Sequence, residues 1–213
     1  MSETADGNGE GAGAPARRRR RDPEWTWAAL LDALLQLIAE TGREPTRKAI
    51  AERAGVSERT VFVHFADREA LHVAAARRQA ERWRAEAEPV PPDRATDHKV
   101  SALLAQRGRM YEAMGPIRRF GLGLEPHSPG LAEVMAAGDA WFRADLAEVF
   151  APELGRDRDA FAPGGLLDAL EAASSWAAWD HLRTRRGLDG PAARAALERT
   201  LRALLAPPAD GAL

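Results

Sequence analysis

The chain has 213 residues, of which 45% are hydrophobic and 29% charged, and this composition is typical of a globular protein with a substantial core. It contains no cysteine, which excludes disulfides, thiolate metal sites and thiol nucleophiles. No run of about 18 apolar residues occurs, and the N-terminus lacks the apolar segment of a signal peptide, so a cytoplasmic protein without a membrane span is predicted. The net charge of -2 neither supports nor excludes an anionic partner.

The N-terminal segment is polar and carries a run of positive charge. Residues 1–16 are rich in glycine and alanine without periodicity, and residues 1–21 as a whole are predicted to be a disordered tail. Five consecutive arginines give this tail a basic arm: Arg17, Arg18, Arg19, Arg20 and Arg21. Such a run binds polyanions unspecifically unless a reading element lies beside it.

The first helix is predicted to begin at Asp22 and Pro23, since aspartate caps helices well and proline is tolerated at the first helical position. We expect it to end at Gly42. One face carries an apolar stripe at helical spacing, made of Trp27, Leu30, Leu31, Leu34 and Ile38.

Two short helices and a longer one are predicted next. Thr46 caps a helix that stops at Gly55, Ser57 caps a second through Phe65, and Asp67 starts a third that reaches about Glu88. Ala51 is small enough for close helix crossing, and Gly55 can take the positive φ of a tight turn, which is the spacing of a helix-turn-helix. We expect an apolar side to hold the second helix against the first: Val56, Val61, Phe62 and Phe65.

Beyond the prolines at 89, 91 and 92 the pattern stays helical, with no alternating strand segments. Helices are predicted at 97–114, 117–123, 130–150, 164–186 and 191–206. The fold class is therefore all-α, with a three-helix N-terminal helix-turn-helix domain at 22–71 and a larger C-terminal helical domain at 72–213.

The helix-turn-helix indicates a double-stranded DNA partner. In this motif the second helix reaches base edges in the major groove, while caps and helix ends bind phosphate. Arg59 is the best candidate for a base contact because its guanidinium can bond guanine O6 and N7 together, whereas Glu58 can accept from cytosine or simply pair with Arg59. Besides the basic arm, the predicted DNA-binding residues, each with a solvated surface side chain as the alternative, are Thr46, Arg47, Ser57, Glu58, Arg59, Thr60, Val63, His64 and Arg68.

The segment AGVSERTVFVHFADREAL, residues 54–71, resembles the DNA-binding signature of the TetR family of bacterial transcriptional regulators. The resemblance covers about Trp25 to Leu71. The family often has tyrosine where Phe62 stands, so a phosphate contact by that hydroxyl is lost, and lysine where Arg68 stands, so that charge is kept. The signature positions are filled by Thr60, Phe62, His64, Phe65, Arg68, Glu69, Ala70 and Leu71.

The C-terminal domain carries many aromatic and methionine side chains at helical spacing. Each is first of all a core residue, but together they suit an adaptable apolar cavity for a small effector. The predicted lining residues are Tyr111, Met114, Arg118, Phe120, His127, Met135, Trp141, Phe142 and Trp176, with Tyr111, Arg118 and His127 as polar anchors. No glycine-rich phosphate loop is present and the five histidines lack ligand spacing, so no cofactor and no metal site is predicted.

The last two helices are predicted to form a homodimer surface, although closing the monomer core is the alternative. The TetR resemblance favours a two-fold interface of four helices, and one recognition helix per chain needs a partner to span a palindromic operator. The predicted interface residues are Ser175, Trp179, Leu182, Leu197, Leu201 and Leu204.

These features together predict a repressor that a small apolar ligand releases from its operator, with helix 67–88 transmitting the change. One alternative is a DNA-binding dimer without small-molecule sensing. The other is an enzyme that uses the C-terminal pocket; against it, no nucleophile–base pair, carboxylate pair or metal cluster occurs at a useful spacing.

Overall fold

The computed structural model describes residues 23–65 and 67–207, and every regular element within these ranges is helical, which confirms the all-α fold class. The chain divides into two compact units, the first ending at Ala75 and the second beginning at Ala76. The predicted tail, the arginine arm at 17–21 and the Asp22 cap lie outside the described residues.

The first unit contains helices α1 (Pro23–Thr41), α2 (Arg47–Ala54) and α3 (Glu58–His64) and the start of α4 (Arg68–Glu86), which continues into the second unit. The predicted stripe on α1 is buried except for Trp27, which is 40% exposed and stacks on the Phe65 ring with centroids 4.5 Å apart. The core of this unit includes Leu30, Leu31, Leu34, Ile38, Ile50, Ala51, Val61 and Phe65.

The turn between α2 and α3 is built on Gly55, which has the predicted left-handed conformation with φ of 68°. The Gly55 N–H donates to the Glu52 carbonyl at 3.2 Å, and the Val56 N–H donates to the Ala51 carbonyl at 3.0 Å. This pair of bonds is the Schellman motif, which satisfies carbonyls that the end of a helix leaves without partners. The backbone, rather than side-chain packing alone, therefore sets the direction in which α3 leaves α2.

Gly55→Ala should destabilise the first unit by about 1–2 kcal/mol, because a Cβ in the left-handed region meets the following carbonyl. A matched control is Gly138→Ala, since Gly138 lies inside a helix and a Cβ there would meet nothing within 4 Å. That control should gain up to about 1 kcal/mol from helix propensity. Urea denaturation followed by circular dichroism measures both variants, and equal stabilities would contradict this account of the turn.

The second unit holds the rest of α4, a set of longer and shorter helices, and one π-helical turn. In chain order the elements are α5 (Thr96–Leu124), a 3₁₀ turn (Glu125–His127), α6 (Pro129–Val149), α7 (Ala151–Leu154), α8 (Leu166–Ser174), α9 (Trp176–Asp180), the π turn (His181–Arg185) and α10 (Gly190–Leu205). Its core is centred on α5 and α10, with Val100, Leu103, Leu104, Leu146, Phe150, Leu170, Leu197 and Leu201 among the buried side chains.

Two predicted helix boundaries in this unit were wrong. The helices expected at 97–114 and 117–123 are a single 29-residue α5 that contains Pro116. Proline removes one backbone donor at a cost of about 3 kcal/mol, but Met114 and Gly115 just before it are buried, and this packing holds the helix together. The helix expected at 164–186 instead breaks at Ser175, whose side chain accepts from the Ala178 N–H and starts α9.

The break at Ser175 is stabilised by a buried polar cluster. Because the Ala178 N–H bonds the Ser175 hydroxyl, the Ser174 carbonyl needs other donors, and it receives the Tyr111 hydroxyl at 2.8 Å and Arg107 Nη1 at 3.5 Å. Arg107 is only 2% exposed. It also donates to Ser174 Oγ at 2.8 Å, to the Phe142 carbonyl at 2.9 Å and to Asp145 at 3.0 Å. Burial raises the pKa of the Tyr111 phenol, so it stays a hydrogen-bond donor.

A second buried cluster joins α5 to α7 through an ion pair. Lys99 Nζ lies 2.6 Å from Glu153 Oε2 and donates to the Pro92 carbonyl at 3.1 Å, while the Thr96 hydroxyl donates to Glu153 Oε1 at 2.5 Å. The ammonium also lies 5.4 Å from the centroid of the Phe150 ring. Both charged groups are thus hydrogen-bonded, and the pair joins two segments that are 54 residues apart in sequence.

Candidate nucleic-acid interface

Local hydroxyl groups fix the start of α2 and of α3. Thr46 Oγ1 accepts from the Ala49 N–H at 3.1 Å, and Ser57 Oγ accepts from the Thr60 N–H at 3.1 Å. Ser57 Oγ also shares a hydrogen bond of 2.8 Å with Thr60 Oγ1. Thr46 and Ser57 are exposed, so the caps that orient the two helices lie at the protein surface.

The helix α3 has a buried side and an opposite, outward side. Val61 and Phe65 are 1% and 3% exposed and face the core of the first unit. At about 100° per residue, Arg59 and Val63 lie one turn apart on the opposite side. Val63 is 67% exposed and Arg59 is also exposed, which agrees with this geometry. Side chains of an arginine and a valine thus point away from the protein next to each other.

Phe62 does not hold α3 against α2 as the sequence suggested. It is 55% exposed, and the guanidinium carbon of Arg47 lies 5.5 Å from its ring centroid. The two side chains therefore form a cation–π pair that bridges α2 and α3 on the surface. The spacing of Val61, Phe62 and Phe65 did not show which of these apolar side chains is buried. A seven-residue helix has only a narrow buried side, and Phe62 lies outside it.

The basic side chains near α2 and α3 differ in how far they are already paired. Arg68 Nε lies 3.9 Å from Glu44, and its side chain remains 60% exposed. Glu44 also contacts His72 at 3.1 Å. Lys48, which was not among the predicted DNA contacts, is 71% exposed and lies 4.0 Å from Glu52. Its position next to Arg47, in the first turn of α2, could have indicated from the sequence that Lys48 is also a candidate DNA contact.

The first unit also contains a bidentate ion pair that fastens α1 to α2. Both nitrogens Nη1 and Nη2 of Arg53 lie 2.8 Å from the carboxylate oxygens of Glu40. The hydrogen bond from Arg53 holds the pKa of Glu40 below its ordinary value. Arg53 is therefore engaged within the protein, in contrast to the outward Arg59.

The residues predicted to line an effector cavity fall into three groups by exposure. Tyr111, Met114 and Met135 are buried, and His127 is exposed on the 3₁₀ turn. The half-buried members are Arg118, Phe120, Trp141, Phe142 and Trp176.

Contacts bring part of this set together. The Phe142 ring lies 5.9 Å from Tyr111 and 4.9 Å from Trp141, and Arg118 donates to Asp139 at 3.2 Å. The Tyr111 hydroxyl, predicted as a ligand anchor, already donates to the Ser174 carbonyl, and this leaves only its oxygen lone pairs for a ligand.

Three residues predicted for the dimer surface lie instead in the core of the single chain. Leu201 is 0% exposed, and Leu197 and Trp179 are each 5% exposed, so they have almost no surface to offer a second subunit. Trp179 also donates its indole N–H to Glu112 at 3.0 Å. The other three, Ser175, Leu182 and Leu204, are half-buried. Helical spacing showed that all six residues belong to apolar stripes. It did not show which of these stripes are buried within the single chain.

Within residues 23–65 and 67–207, no three histidine, aspartate or glutamate side chains are placed to hold a metal ion. Among the helices of that part of the chain, none has both the length and the apolar character of a membrane span.

The capped α2, the glycine turn and the outward polar face of α3 define a DNA-binding protein of the helix-turn-helix class. Residues 30–75 match the family model for bacterial regulatory proteins of the tetR family. This match confirms the resemblance to TetR-family transcriptional regulators seen in residues 54–71. No curated protein matches the chain in sequence.

Solved structures share the fold along most of the chain. A transcriptional regulator from Rhodococcus sp. Rha1 is 21% identical with a TM-score of 0.65, covering 84% of this chain and 95% of that chain. A Rhodococcus sp. protein assigned to the TetR-family transcriptional regulators is 18% identical with a TM-score of 0.64, covering 85% of this chain and 99% of that chain. The multidrug binding protein EbrR, complexed with imidazole, is 22% identical with a TM-score of 0.56, covering 89% and 99%. At these identities the matches show a common fold.

Proposed function

We propose that this regulator is a homodimeric repressor that binds a palindromic operator and leaves it when a small apolar effector binds the second unit. The observation that carries the proposal is the outward face of α3, where Arg59 and Val63 are exposed opposite the buried Val61 and Phe65. The major groove admits an α-helix and presents both hydrogen-bonding groups and thymine methyl groups. A helix that is anchored in the core on one side and exposes polar and apolar side chains on the other is suited to contact them.

The exposed groups of the first unit divide by chemistry into two roles on DNA. Glu58, Arg59 and Val63 are suited to base edges, since they lie on the exposed part of α3. The hydroxyl and cationic groups around them are suited to phosphate, which positions the protein without reading sequence. The proposed phosphate contacts are Thr46, Arg47, Ser57, Thr60, His64 and Arg68, and we add Lys48 because of its exposure.

The arginine arm is proposed to contact phosphate or the minor groove beside the reading helix. Deleting residues 17–21 should flatten the dependence of affinity on salt, because each phosphate contact contributes about 0.9 to the slope of log affinity against log salt concentration. Fluorescence anisotropy with operator DNA at several salt concentrations measures this slope. An unchanged slope would remove the arm from the interface.

Dimerisation is proposed because each chain has one recognition helix and a palindrome has two half-sites. The half-buried Ser175, Leu182 and Leu204 are the members of the predicted interface that still have surface to contribute. Sedimentation equilibrium of the full chain tests the dimer directly.

Effector sensing is proposed from the aromatic side chains that α5 and α6 bring together, with Phe142 between Tyr111 and Trp141. The complex of EbrR with imidazole supports the idea that a protein of this fold can hold a small organic molecule. Arg84 of α4 donates to the Ala137 carbonyl of α6 at 3.3 Å, which offers a physical link from α6 to the helix that begins in the first unit. A ligand shifts the equilibrium only by its differential affinity for the two states.

A thermal-shift screen with lipophilic compounds, followed by operator release, tests the sensing proposal. We expect at least one compound to raise the melting temperature and to dissociate the DNA complex. Compounds that stabilise the protein without releasing DNA, or none that stabilise it, would instead support a DNA-binding dimer without sensing.

A further inference from the structure

The most exposed large hydrophobic side chain in the described part of the chain lies on the reading helix. Val63 is 67% exposed, and its neighbour Phe62 is 55% exposed. Phe62 is engaged by the Arg47 guanidinium at 5.5 Å. Val63 is therefore an exposed apolar side chain on α3.

The position of Val63 on α3 is opposite to the core. Val61 lies two residues away at 1% exposure, so at about 100° per residue the Val63 side chain points roughly 160–200° from it. Arg59 precedes Val63 by four residues and shares its side of the helix, about 6 Å away along the axis. Val63 and Arg59 would therefore contact neighbouring parts of the same bound molecule.

A valine side chain has no hydrogen-bonding group, which restricts what it can recognise in DNA. In the major groove the apolar feature of a base edge is the 5-methyl group of thymine. We propose that Val63 contacts a thymine methyl group and thereby determines part of the operator sequence. Because Val63 lies about 6 Å from Arg59 along α3, we expect the thymine in the same half-site as a guanine bound by Arg59.

This inference rests on the proposed function, since it names the base feature that the same helix reads. The experiment begins with selection of DNA from a random-sequence pool by the full-length protein. The consensus duplex is then synthesised with deoxyuridine in place of each thymine in turn, which removes one methyl group and leaves base pairing intact. Duplexes with deoxyuridine outside the half-sites are the DNA control.

We expect one thymine in each half-site, near the guanine, where removal of the methyl group weakens binding by about fourfold, the factor for one buried methyl or methylene group. With Val63→Ala this sensitivity should disappear, while the sensitivity to changing the guanine remains. Circular dichroism checks that Val63→Ala folds, which its exposed position favours.

The outcomes separate this inference from the function on which it rests. If selection enriches no sequence, sequence-specific operator binding itself fails. If a consensus is enriched but deoxyuridine binds as well as thymine at every half-site position, only the Val63 assignment is overturned. It is also overturned if Val63→Ala retains the full sensitivity to deoxyuridine.

Discussion

Replacing Lys99 with methionine should lower the free energy of unfolding of the second unit by about 3–5 kcal/mol. Lys99 is 1% exposed and Glu153 is 5% exposed, so the variant leaves a carboxylate in the core without its cation. Of the two side chains that donate hydrogen bonds to the Glu153 carboxylate, only Thr96 would remain. Removing one member of a buried pair costs more than the pair contributes, because the remaining charge keeps its desolvation penalty.

The double variant Lys99→Met/Glu153→Leu should recover most of the lost stability, since apolar side chains of similar volume can replace a buried ion pair at little net cost. Lys48→Met is the matched control, because Lys48 is 71% exposed and its pair with Glu52 is 4.0 Å long. That control should change stability by less than about 1 kcal/mol. Urea unfolding followed by tryptophan fluorescence suits the comparison, since Trp83, Trp141, Trp176 and Trp179 lie in the second unit. A double variant as unstable as Lys99→Met would contradict this reasoning.

The same ion pair gives the stability a pH dependence of defined sign. Burial raises the pKa of Glu153, but hydrogen bonds from Lys99 and Thr96 outweigh it, so the folded-state pKa lies below the ordinary value. The contribution of the pair is therefore present above the unfolded-state pKa of about 4.3 and is lost as the pH falls through the lower folded-state pKa. Between pH 7 and pH 3, the wild type should lose more stability than the double variant.

Arg59→Ala should weaken operator binding by about 1–3 kcal/mol per half-site, roughly five- to 150-fold, and relax the preference for guanine at one position. The outward position of Arg59 on α3, opposite the buried Val61, is the structural reason. The salt slope should change little, because a base contact releases few counterions from phosphate.

Arg68→Ala is the matched control for Arg59→Ala, because Arg68 is a proposed phosphate contact near Glu44. It should weaken binding to all sequences about equally and lower the salt slope by about 0.9 per contact. Anisotropy titrations of both variants against the consensus duplex and single-base mutants separate the two patterns. If Arg59→Ala behaved like Arg68→Ala, Arg59 would be a phosphate contact instead.

The first unit could be predicted closely because its signals are local. Thr46 and Ser57 each cap the helix that follows by accepting a hydrogen bond from the backbone N–H three residues later. Gly55 adopts a conformation that glycine alone adopts easily. The second unit depends on distant partners. The break after Ser174 requires Arg107 and Tyr111, which are 67 and 63 residues away in sequence, and no local pattern contains that information.

Helical spacing also left open what covers each apolar face. Leu197 and Leu201 share a stripe as predicted, but the single chain buries them, whereas Phe62 carries a side chain typical of a core and lies on the surface. A period of about 3.6 residues shows which side chains share a side of a helix, and only tertiary packing decides which side is inward.

The most direct test of sequence-specific operator reading is selection of binding sites from random double-stranded DNA by the full-length chain, with Arg59→Ala selected in parallel. The wild type should enrich a palindromic consensus with a guanine in each half-site, and Arg59→Ala should lose the preference at that guanine while keeping the rest. Failure of the wild type to enrich any sequence, or an identical consensus from both proteins, would contradict the assignment of α3 as the reading helix and of Arg59 as its base contact.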